Sequence, residues 1–382
     1  MIRRIAALSL VCGLAVSAVV AEVAYTFNGD VMYRFEYTYA KMKDADGEDS
    51  GKTGDHNHKY WWNLKAGVAV NENLAFGLRL SNPRGYFTDG VTDNLKRAGF
   101  GEGYNMVSIP ELYFKWSVGL AQLMGGIIPV AGAGSNNTVM DLVAFETVKY
   151  AGAGAMPWFV ATNGTQIGLD LLLNFLKSDD LTLGLDVILA VAADGAAGEP
   201  AEAMKNDQLR MVYSLPVGLM QGMIKICPVM HTRTNVYRSA DNEAGNHSIA
   251  GGIDVVAKPV KALSVNAGYA IGGYNNECQE DDANYVATAP MGMVLNAGTK
   301  VMPGFGTVTL EFAWGNWKDR ETAPDADVVS TNQLYWDLNY LIPVKSLAFR
   351  PRMRIWYITN NAENDESSTL KMRPELAFIA KF

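Results

Sequence analysis

The chain has 382 residues and a formal net charge of −8, from 32 Lys and Arg against 40 Asp and Glu. This acidic balance argues against a nucleic-acid partner, because phosphate contacts require clustered positive charge. Hydrophobic residues make up 49% of the chain, yet its mean hydropathy is 0.00. The hydrophobic residues are therefore either finely interleaved with polar residues or gathered in a core.

The one long apolar run lies at the amino terminus, where Arg3 and Arg4 precede a hydrophobic stretch that ends in small residues. This order is typical of a secretory signal peptide, and we predict that residues 1–21 are removed by cleavage after Ala21. A retained membrane helix is disfavoured because the run is short for a bilayer. Residues 22–382 then carry 30 basic against 40 acidic residues.

The motifs of enzymes and cofactor sites are missing from the sequence. There is no G-x-S-x-G, H-E-x-x-H or phosphate-binding glycine loop, so we predict neither an enzyme nor a cofactor. His231 and His247 leave open a catalytic site without a local motif. The acidic residues 44–49 lack the downstream glutamate of a calcium loop, and His56 and His58 are typical of a solvated polar stretch.

Cys227 and Cys278 are the two cysteines that remain after the predicted cleavage. In an oxidising compartment they can form a disulfide, but two cysteines do not make a disulfide framework. Two separate thiols explain them equally well.

Alternation of apolar and polar residues with a period of two recurs at about sixteen places, whereas helical spacing is hardly seen. This pattern predicts an all-β chain. Representative apolar faces, in chain order, are Val31, Tyr33, Phe35, Tyr37 and Tyr39; Leu74, Phe76, Leu78 and Leu80; Leu112, Phe114, Trp116 and Val118; Ile167, Leu169, Leu171, Leu173 and Phe175; Leu183, Leu185, Val187 and Leu189; Val308, Leu310, Phe312 and Trp314; and Leu334, Trp336, Leu338 and Tyr340.

The predicted connections alternate in length. Short turns rich in Gly, Pro, Asn and Lys are predicted at residues 71–72, 119, 177–180, 216–218, 258–261, 302–304 and 343–345. Long polar loops are predicted at residues 42–58, 84–107, 131–164, 194–206, 232–246, 274–288, 318–330 and 359–367. Eight long loops on one side and short turns on the other predict about sixteen strands.

Together these patterns predict a transmembrane antiparallel up-and-down β-barrel with short periplasmic turns and long external loops. In hydrocarbon the backbone cannot bond to water, so a spanning sheet has to close on itself. Its strands are apolar toward lipid and polar toward the lumen, with aromatic residues at the interfaces. An exported soluble β-sandwich also shows alternation, but its water-facing positions would be more strongly charged than those found here.

Residues 370–382 place Met372, Leu376, Phe378, Ala380 and Phe382 on one face. A terminal strand ending in phenylalanine resembles the assembly signal of Gram-negative outer-membrane barrels, although the glycine often found upstream is absent. With the signal peptide and the strand series, residues 22–382 resemble the 16-stranded porin superfamily.

The resemblance implies an outer-membrane protein that lets small hydrophilic solutes or ions diffuse passively through a water-filled lumen. It also implies contact with outer-membrane lipid and lipopolysaccharide, recognition by the barrel assembly machinery, and assembly as a homotrimer. A second hypothesis is a barrel whose acidic loops bind polysaccharide for surface adhesion.

In such porins the third external loop folds into the barrel and narrows the pore. The third long connection here, residues 131–164, is the longest and carries Asp141 and Glu146 among apolar residues. A long apolar loop is unfavourable in water, so we expect it inside the lumen. Packing on a neighbouring subunit and covering the barrel mouth remain alternatives.

A basic wall is predicted on the lumen side of the last strands. If Phe349, Met353 and Tyr357 face lipid, the intervening side chains face the lumen. The predicted pore-lining residues are Arg350, Arg352, Arg354 and Trp356, then Lys371 and Arg373 on the next strand, which also places Lys381 and Glu375 on this face, and, through closure, Arg34 and Glu36 of the first strand.

Asp141 and Glu146 of the third loop are expected to oppose this wall. Opposed charges would set up a transverse field that orients polar solutes and sets ion selectivity. The alternative is that the arginines only fill the lumen and hold the loop by salt bridges.

Overall fold

The structure is a computed structural model, and it describes residues 23–44, 46–81, 85–87, 108–129, 165–191, 209–234, 248–260, 263–274, 291–302, 306–320, 328–362 and 365–382. The described residues form 18 β-strand segments: β1 (Ala24–Lys43), β2 (Asp49–Ala69), β3 (Leu74–Ser81), β4 (Gly85–Phe87), β5 (Ser108–Val118), β6 (Ala121–Pro129), β7 (Thr165–Lys177), β8 (Leu181–Val191), β9 (Leu209–Ser214), β10 (Val217–Leu219), β11 (Ile224–Arg233), β12 (Ser248–Val260), β13 (Leu263–Tyr274), β14 (Met291–Met302), β15 (Gly306–Arg320), β16 (Val328–Val344), β17 (Leu347–Ala362) and β18 (Asp365–Lys381). No helix among these residues is long and apolar enough to cross a membrane.

All 18 segments belong to one antiparallel sheet in which neighbours along the chain are neighbours in space. Segments β3 and β4 both pair with β2, and segments β9 and β10 both lie between β8 and β11. Each of these two pairs is therefore one interrupted strand. The segments occupy sixteen strand positions, which confirms the predicted number.

The sheet closes on itself because β1 pairs with both β2 and β18. At the closure Gly29 N donates to Phe382 O at 2.9 Å, and Phe382 N donates to Gly29 O at 3.1 Å. A Cβ at Gly29 would lie 2.7 Å from both Phe382 Cζ and Asn63 O, so only glycine fits there. Closure removes the free sheet edges that hydrocarbon does not tolerate.

The two faces of the barrel differ as the period of two predicts. On β1, Val31, Tyr33 and Phe35 are 38–44% exposed on the outer face, whereas Arg34 and Glu36 are buried on the inner face. An apolar outer surface of this extent is typical of a protein embedded in lipid. Exposed outer side chains elsewhere include Leu112, Trp116, Leu169, Leu171, Leu183, Leu189, Leu310, Trp336, Leu338, Met353, Tyr357 and Phe378.

Most of the predicted short turns that fall on described residues are found close to their predicted places. Strand reversals lie at residues 70–73, 119–120, 178–180 and 345–346, and Gly119 and Lys345 both adopt a φ of 56°. The turn predicted at 216–218 is wrong, because Val217–Leu219 is strand β10 and the reversal follows at residues 220–223. Pro216 lacks an N–H and interrupts the strand without reversing it.

The loop predicted at residues 42–58 is also wrong. Strand β1 continues to Lys43 and β2 begins at Asp49, so a long hairpin extends from the barrel. His56 and His58 lie on β2, opposite Tyr37 and Phe35, and not in a loop. Beyond the membrane both strand faces meet water, so the alternation that identifies a strand is lost.

The hairpin tip is held by ion pairs among exposed side chains. Lys41 Nζ lies 2.7 Å from Asp49 Oδ1, and Lys52 Nζ lies 3.2 Å from Asp49 Oδ2. Hydrogen bonds from Lys41 and then Lys52 hold the pKa of Asp49 below its ordinary value.

The loop predicted at residues 359–367 is likewise mostly strand. Segments β17 and β18 run to Ala362 and from Asp365, and Asn361 pairs with Glu366. The predicted signal peptide and most residues of the other six predicted long loops, including all of 131–164, lie outside the described residues.

Two leucines on the outer face test how deeply different parts of a strand lie in the membrane. Leu338 lies on the outer face near the middle of the span, and Leu347 lies on the same face beside the turn at 345–346. An arginine in mid-membrane costs about 2–4 kcal/mol, and one near the interface costs about 0–1 kcal/mol. We expect Leu338→Arg to lower the free energy of unfolding in lipid vesicles by about 2–4 kcal/mol and Leu347→Arg to leave it nearly unchanged. If both variants lose the same free energy of unfolding in a denaturant titration, Leu338 does not lie deeper in the membrane than Leu347.

Candidate pore-lining site

The predicted pore-lining residues that the structure describes lie on the inner face of neighbouring strands around the closure, β17, β18 and β1. The register sets Arg354 opposite Arg373 and Glu36 opposite Glu375. We call the following set, which extends onto β16 and β2, the charged wall: Arg34, Glu36, Lys59, Asp337, Arg350, Arg352, Arg354, Lys371, Arg373 and Glu375. Trp356 lies among these side chains.

Arg34 joins the two carboxylates on either side of the closure. Its Nη2 lies 3.1 Å from Glu36 Oε2, and its Nη1 lies 3.4 Å from Glu375 Oε2 on β18. Lys59 on β2 forms a second ion pair with Glu36 through its Nζ. Strands β18, β1 and β2 are thus cross-linked by ion pairs.

Asp337 and Glu375 pair with two of the three arginines of β17, Arg352 and Arg354. Arg352 Nε donates to both oxygens of Asp337, at 2.9 and 2.7 Å, and Arg354 Nη2 lies 3.1 Å from both oxygens of Glu375. Tyr335 Oη also donates to Asp337 Oδ2 at 2.8 Å. A buried carboxylate is tolerated only with such partners.

Aromatic rings hold further cations of the wall. The guanidinium of Arg373 lies 5.3 Å and the ammonium of Lys371 lies 5.6 Å from the ring centre of Trp356, within the range of cation–π attraction. Arg373 Nε also donates to Thr38 Oγ1 at 3.1 Å. On the other side of the closure, Arg34 lies 5.4 Å from the ring centre of Trp61.

The charged wall keeps an excess of positive charge. It contains seven cationic side chains against three carboxylates, Glu36, Asp337 and Glu375. Arg350 differs from the other arginines of β17, because no carboxylate among the described residues lies within 4.0 Å of its guanidinium. Its Nη2 donates to Met32 Sδ at 3.4 Å.

The structure brings eight of the predicted pore-lining residues together on one inner surface: Arg34, Glu36, Arg350, Arg352, Arg354, Trp356, Lys371 and Arg373. It corrects the prediction that this surface is basic throughout. The wall is not simply basic, since its own carboxylates neutralise several arginines. Asp141 and Glu146, predicted to oppose the wall, lie outside the described residues.

Lys59 and Asp337 are members of the wall that the sequence analysis missed. Both occupy inner-face positions of strands adjacent to those of the predicted site. The period of two puts Asp337 on the inner face, yet only the register between strands shows that it meets Arg352 and Arg354.

The opposite arc of the barrel carries other polar residues on its inner face. Strand β8 lies eight strand positions from β17 in the sixteen-position ring. Asp170 on β7 and Asp186 on β8 are both buried there, and Ser214 Oγ donates to Asp186 Oδ2 at 3.5 Å. Polar groups therefore line the inner face on both sides of the ring.

Within the described ranges, no group of three or more His, Cys, Asp or Glu side chains is arranged to hold a metal ion. Cys227 is buried on β11, whereas Cys278 lies outside the described residues. The two alternatives from the sequence, a disulfide and two separate thiols, therefore both stand.

No protein-family model and no curated protein matches this chain. Solved structures do match. An anion-selective porin from Comamonas acidovorans is 12% identical with a TM-score of 0.54, covering 94% of this chain and 100% of its own. OprB of Pseudomonas putida is 12% identical with a TM-score of 0.53, covering 94% of both chains.

A third similar structure is the trimer form of OmpT, an outer membrane protein of Vibrio cholerae. It is 10% identical with a TM-score of 0.50, covering 93% of this chain and 100% of its own. At such identities the likeness concerns the fold, and this chain has the fold of outer-membrane porin barrels.

The ion pairs of the wall predict a measurable contribution to stability. Glu375→Gln removes the buried carboxylate that pairs with both Arg34 and Arg354. Arg34 then keeps Glu36 at 3.1 Å and Arg354 keeps only Asp337 at 3.9 Å, and removing one member of a buried pair costs about 3–5 kcal/mol. We expect that loss in the free energy of unfolding, measured by denaturant titration in detergent micelles. Glu366→Gln, an exposed change on the same strand, should stay within about 0.5 kcal/mol. If both variants unfold like the parent, the pairs are not stabilising.

Proposed function

We propose that this chain is an outer-membrane porin, through which small hydrophilic solutes or ions diffuse passively along a water-filled lumen. The observation that carries the proposal is the charged wall, which lies on the inner face of a closed ring whose outer face is apolar. Catalysis and a cofactor have no part in this function.

The distribution of charge supports a hydrated interior. Ten charged side chains gathered on one inner surface are strongly unfavourable in hydrocarbon and favourable beside water. Within the barrel they form a polar path along strands that cross the membrane. Restricted diffusion past this surface is the simplest transport mechanism it supports.

The excess positive charge of the wall favours anions. A low-dielectric channel focuses the field of fixed charges, so an excess of cationic side chains raises the local anion concentration. The likeness to an anion-selective porin supports selectivity for anions over cations. The proposed constriction consists of Arg34, Glu36, Arg350, Arg352, Arg354, Trp356, Lys371 and Arg373, narrowed by residues 131–164 with Asp141 and Glu146.

The proposal includes the route to the membrane and the assembly of the protein. Residues 1–21 direct export, and the terminal strand ending in Phe382 is recognised by the barrel assembly machinery. The apolar outer face contacts outer-membrane lipid and lipopolysaccharide. A homotrimer is supported by the trimer form of the similar Vibrio cholerae protein.

Stepwise currents in planar lipid bilayers test the channel directly. We expect discrete conductance steps that grow with salt concentration when purified protein is added. A folded barrel that binds polysaccharide but stays electrically silent would favour the surface-binding alternative.

The wall predicts the sign of ion selectivity. In a tenfold KCl gradient a perfectly selective pore reverses at about 59 mV, and we expect this channel to reverse on the anion side of zero. Replacing Arg350, Arg352 and Arg354 together by serine removes three positive charges from the wall. The reversal potential should then move toward the cation side, most clearly at low salt where screening is weak.

The matched control removes three positive charges outside the membrane. Serine at Lys41, Lys43 and Lys52 of the projecting hairpin should change the reversal potential far less, because Lys43 and Lys52 are exposed to solvent and Lys41 is half-exposed. Equal shifts in the two triple variants would show that total charge, and not the wall, sets selectivity.

A further inference from the structure

A separate pocket opens on the inner face at the short-turn end of the charged wall. It has a volume of about 390 Å³, within the usual range of small-molecule sites. Arg350 is the residue that β17 contributes to the lining, and four other strands, β1, β15, β16 and β18, contribute the remainder. The lining residues are Asp30, Met32, Thr307, Thr309, Asn339, Leu341, Arg350, Ile379 and Lys381.

The charges of the pocket have both signs, and they are not engaged with each other. Asp30 and Lys381 face each other across the closure, yet no ion pair within 4.0 Å joins either of them to Arg350 or to each other in the described structure. From the described residues Asp30 receives only long hydrogen bonds, from Asn63 Nδ2 at 3.3 and 3.5 Å. Both cations and the carboxylate therefore keep hydrogen-bonding capacity.

Unpaired polar atoms lie beside these charges. Arg350 Nε and Asn339 Oδ1 are buried, and neither has a hydrogen-bond partner among the described residues. Buried polar atoms in folded proteins nearly always have a partner. The side chains of Thr307 and Thr309 add hydroxyl groups that both donate and accept.

The rest of the pocket lining is apolar. Met32 and Ile379 belong to a small hydrophobic cluster with Ala377, and Leu341 packs against it. A ligand of this pocket thus meets a cationic side, an anionic side and an apolar patch.

We propose that this pocket binds small zwitterions with an apolar side chain, such as α-amino acids and short peptides, on their way through the pore. Arg350 and Lys381 bind the carboxylate, Asp30 binds the ammonium group, and Met32, Leu341 and Ile379 contact the side chain. Arginine suits the carboxylate because its planar guanidinium donates two parallel hydrogen bonds. The proposal rests on the proposed function for its role in transport, but binding itself does not require conduction.

Leucine and two neutralised analogues test the recognition of both charges. Leucinamide lacks the carboxylate, and N-acetyl-leucine lacks the ammonium group. In saturation-transfer NMR titrations of detergent-solubilised protein, we expect leucine to bind at least about tenfold more tightly than either analogue, since each loses a charged hydrogen bond. Glycine, which lacks the apolar side chain, should also bind more weakly.

Two variants test the residues. Arg350→Met and the nearly isosteric Asp30→Asn should each weaken leucine binding by about tenfold or more. Lys345→Gln, at an exposed position in the adjoining turn, removes a charge outside the pocket and should bind leucine like the parent. Heat-modifiable gel mobility confirms that each variant is folded before its binding is compared.

The outcomes separate this proposal from the channel. Equal binding of leucine and N-acetyl-leucine, unchanged binding by a folded Arg350→Met variant, or no detectable leucine binding each overturns the zwitterion site. Bilayer currents without leucine binding leave the channel standing and remove only the pocket. Leucine binding without currents supports the pocket and removes the channel.

Discussion

The pairing of β1 with β18 is the constraint on which the rest of the structure depends. A sheet in hydrocarbon has no water to satisfy an open edge, so every backbone N–H and C=O within the membrane needs a neighbouring strand. Here the ladder runs from Asp30 opposite Lys381 to Lys43 opposite Ser368. Closure makes neighbours of Arg34 and Glu375, which are 341 residues apart in sequence. Closure joins the part of the charged wall on β1 and β2 to the part on β16, β17 and β18.

Register and charge support each other at this closure. A slip of one residue along β1 would turn Arg34 and Glu36 outward and bring Tyr33 and Phe35 inside. Arginine and glutamate exposed to lipid are costly, and their partner on β18 would lose its ion pair. The backbone ladder alone is compatible with several registers, whereas the bonds from Arg34 to Glu36 and Glu375 fit the one that is observed. The inner charges therefore specify how the barrel closes as well as what its lumen attracts.

The period of two explains why much of this fold could be predicted from the sequence. It separates Tyr33 and Phe35 from Arg34 and Glu36 on β1, because lipid and lumen impose opposite demands on alternate residues. The same signal fails at residues 42–58, where the strands leave the membrane and water contacts both faces. Alternation also says nothing of which residues on adjacent strands meet. The pair formed by Arg352 and Asp337 therefore appears only in the structure, although each residue could be assigned to the inner face.

The arginines of β17 serve different purposes although they form one column in the sequence. Arg352 and Arg354 are bound to Asp337 and Glu375 at 2.7–3.1 Å, so much of their charge is neutralised within the wall. Arg350 has no such carboxylate among the described residues and lies at the pocket. The number of arginines is thus a poor measure of the field that a solute meets. Stability depends mainly on the paired arginines, while attraction of solutes depends on the charge that the wall leaves unbalanced. Substitution of Arg350 should consequently lower the free energy of unfolding less than substitution of Arg354.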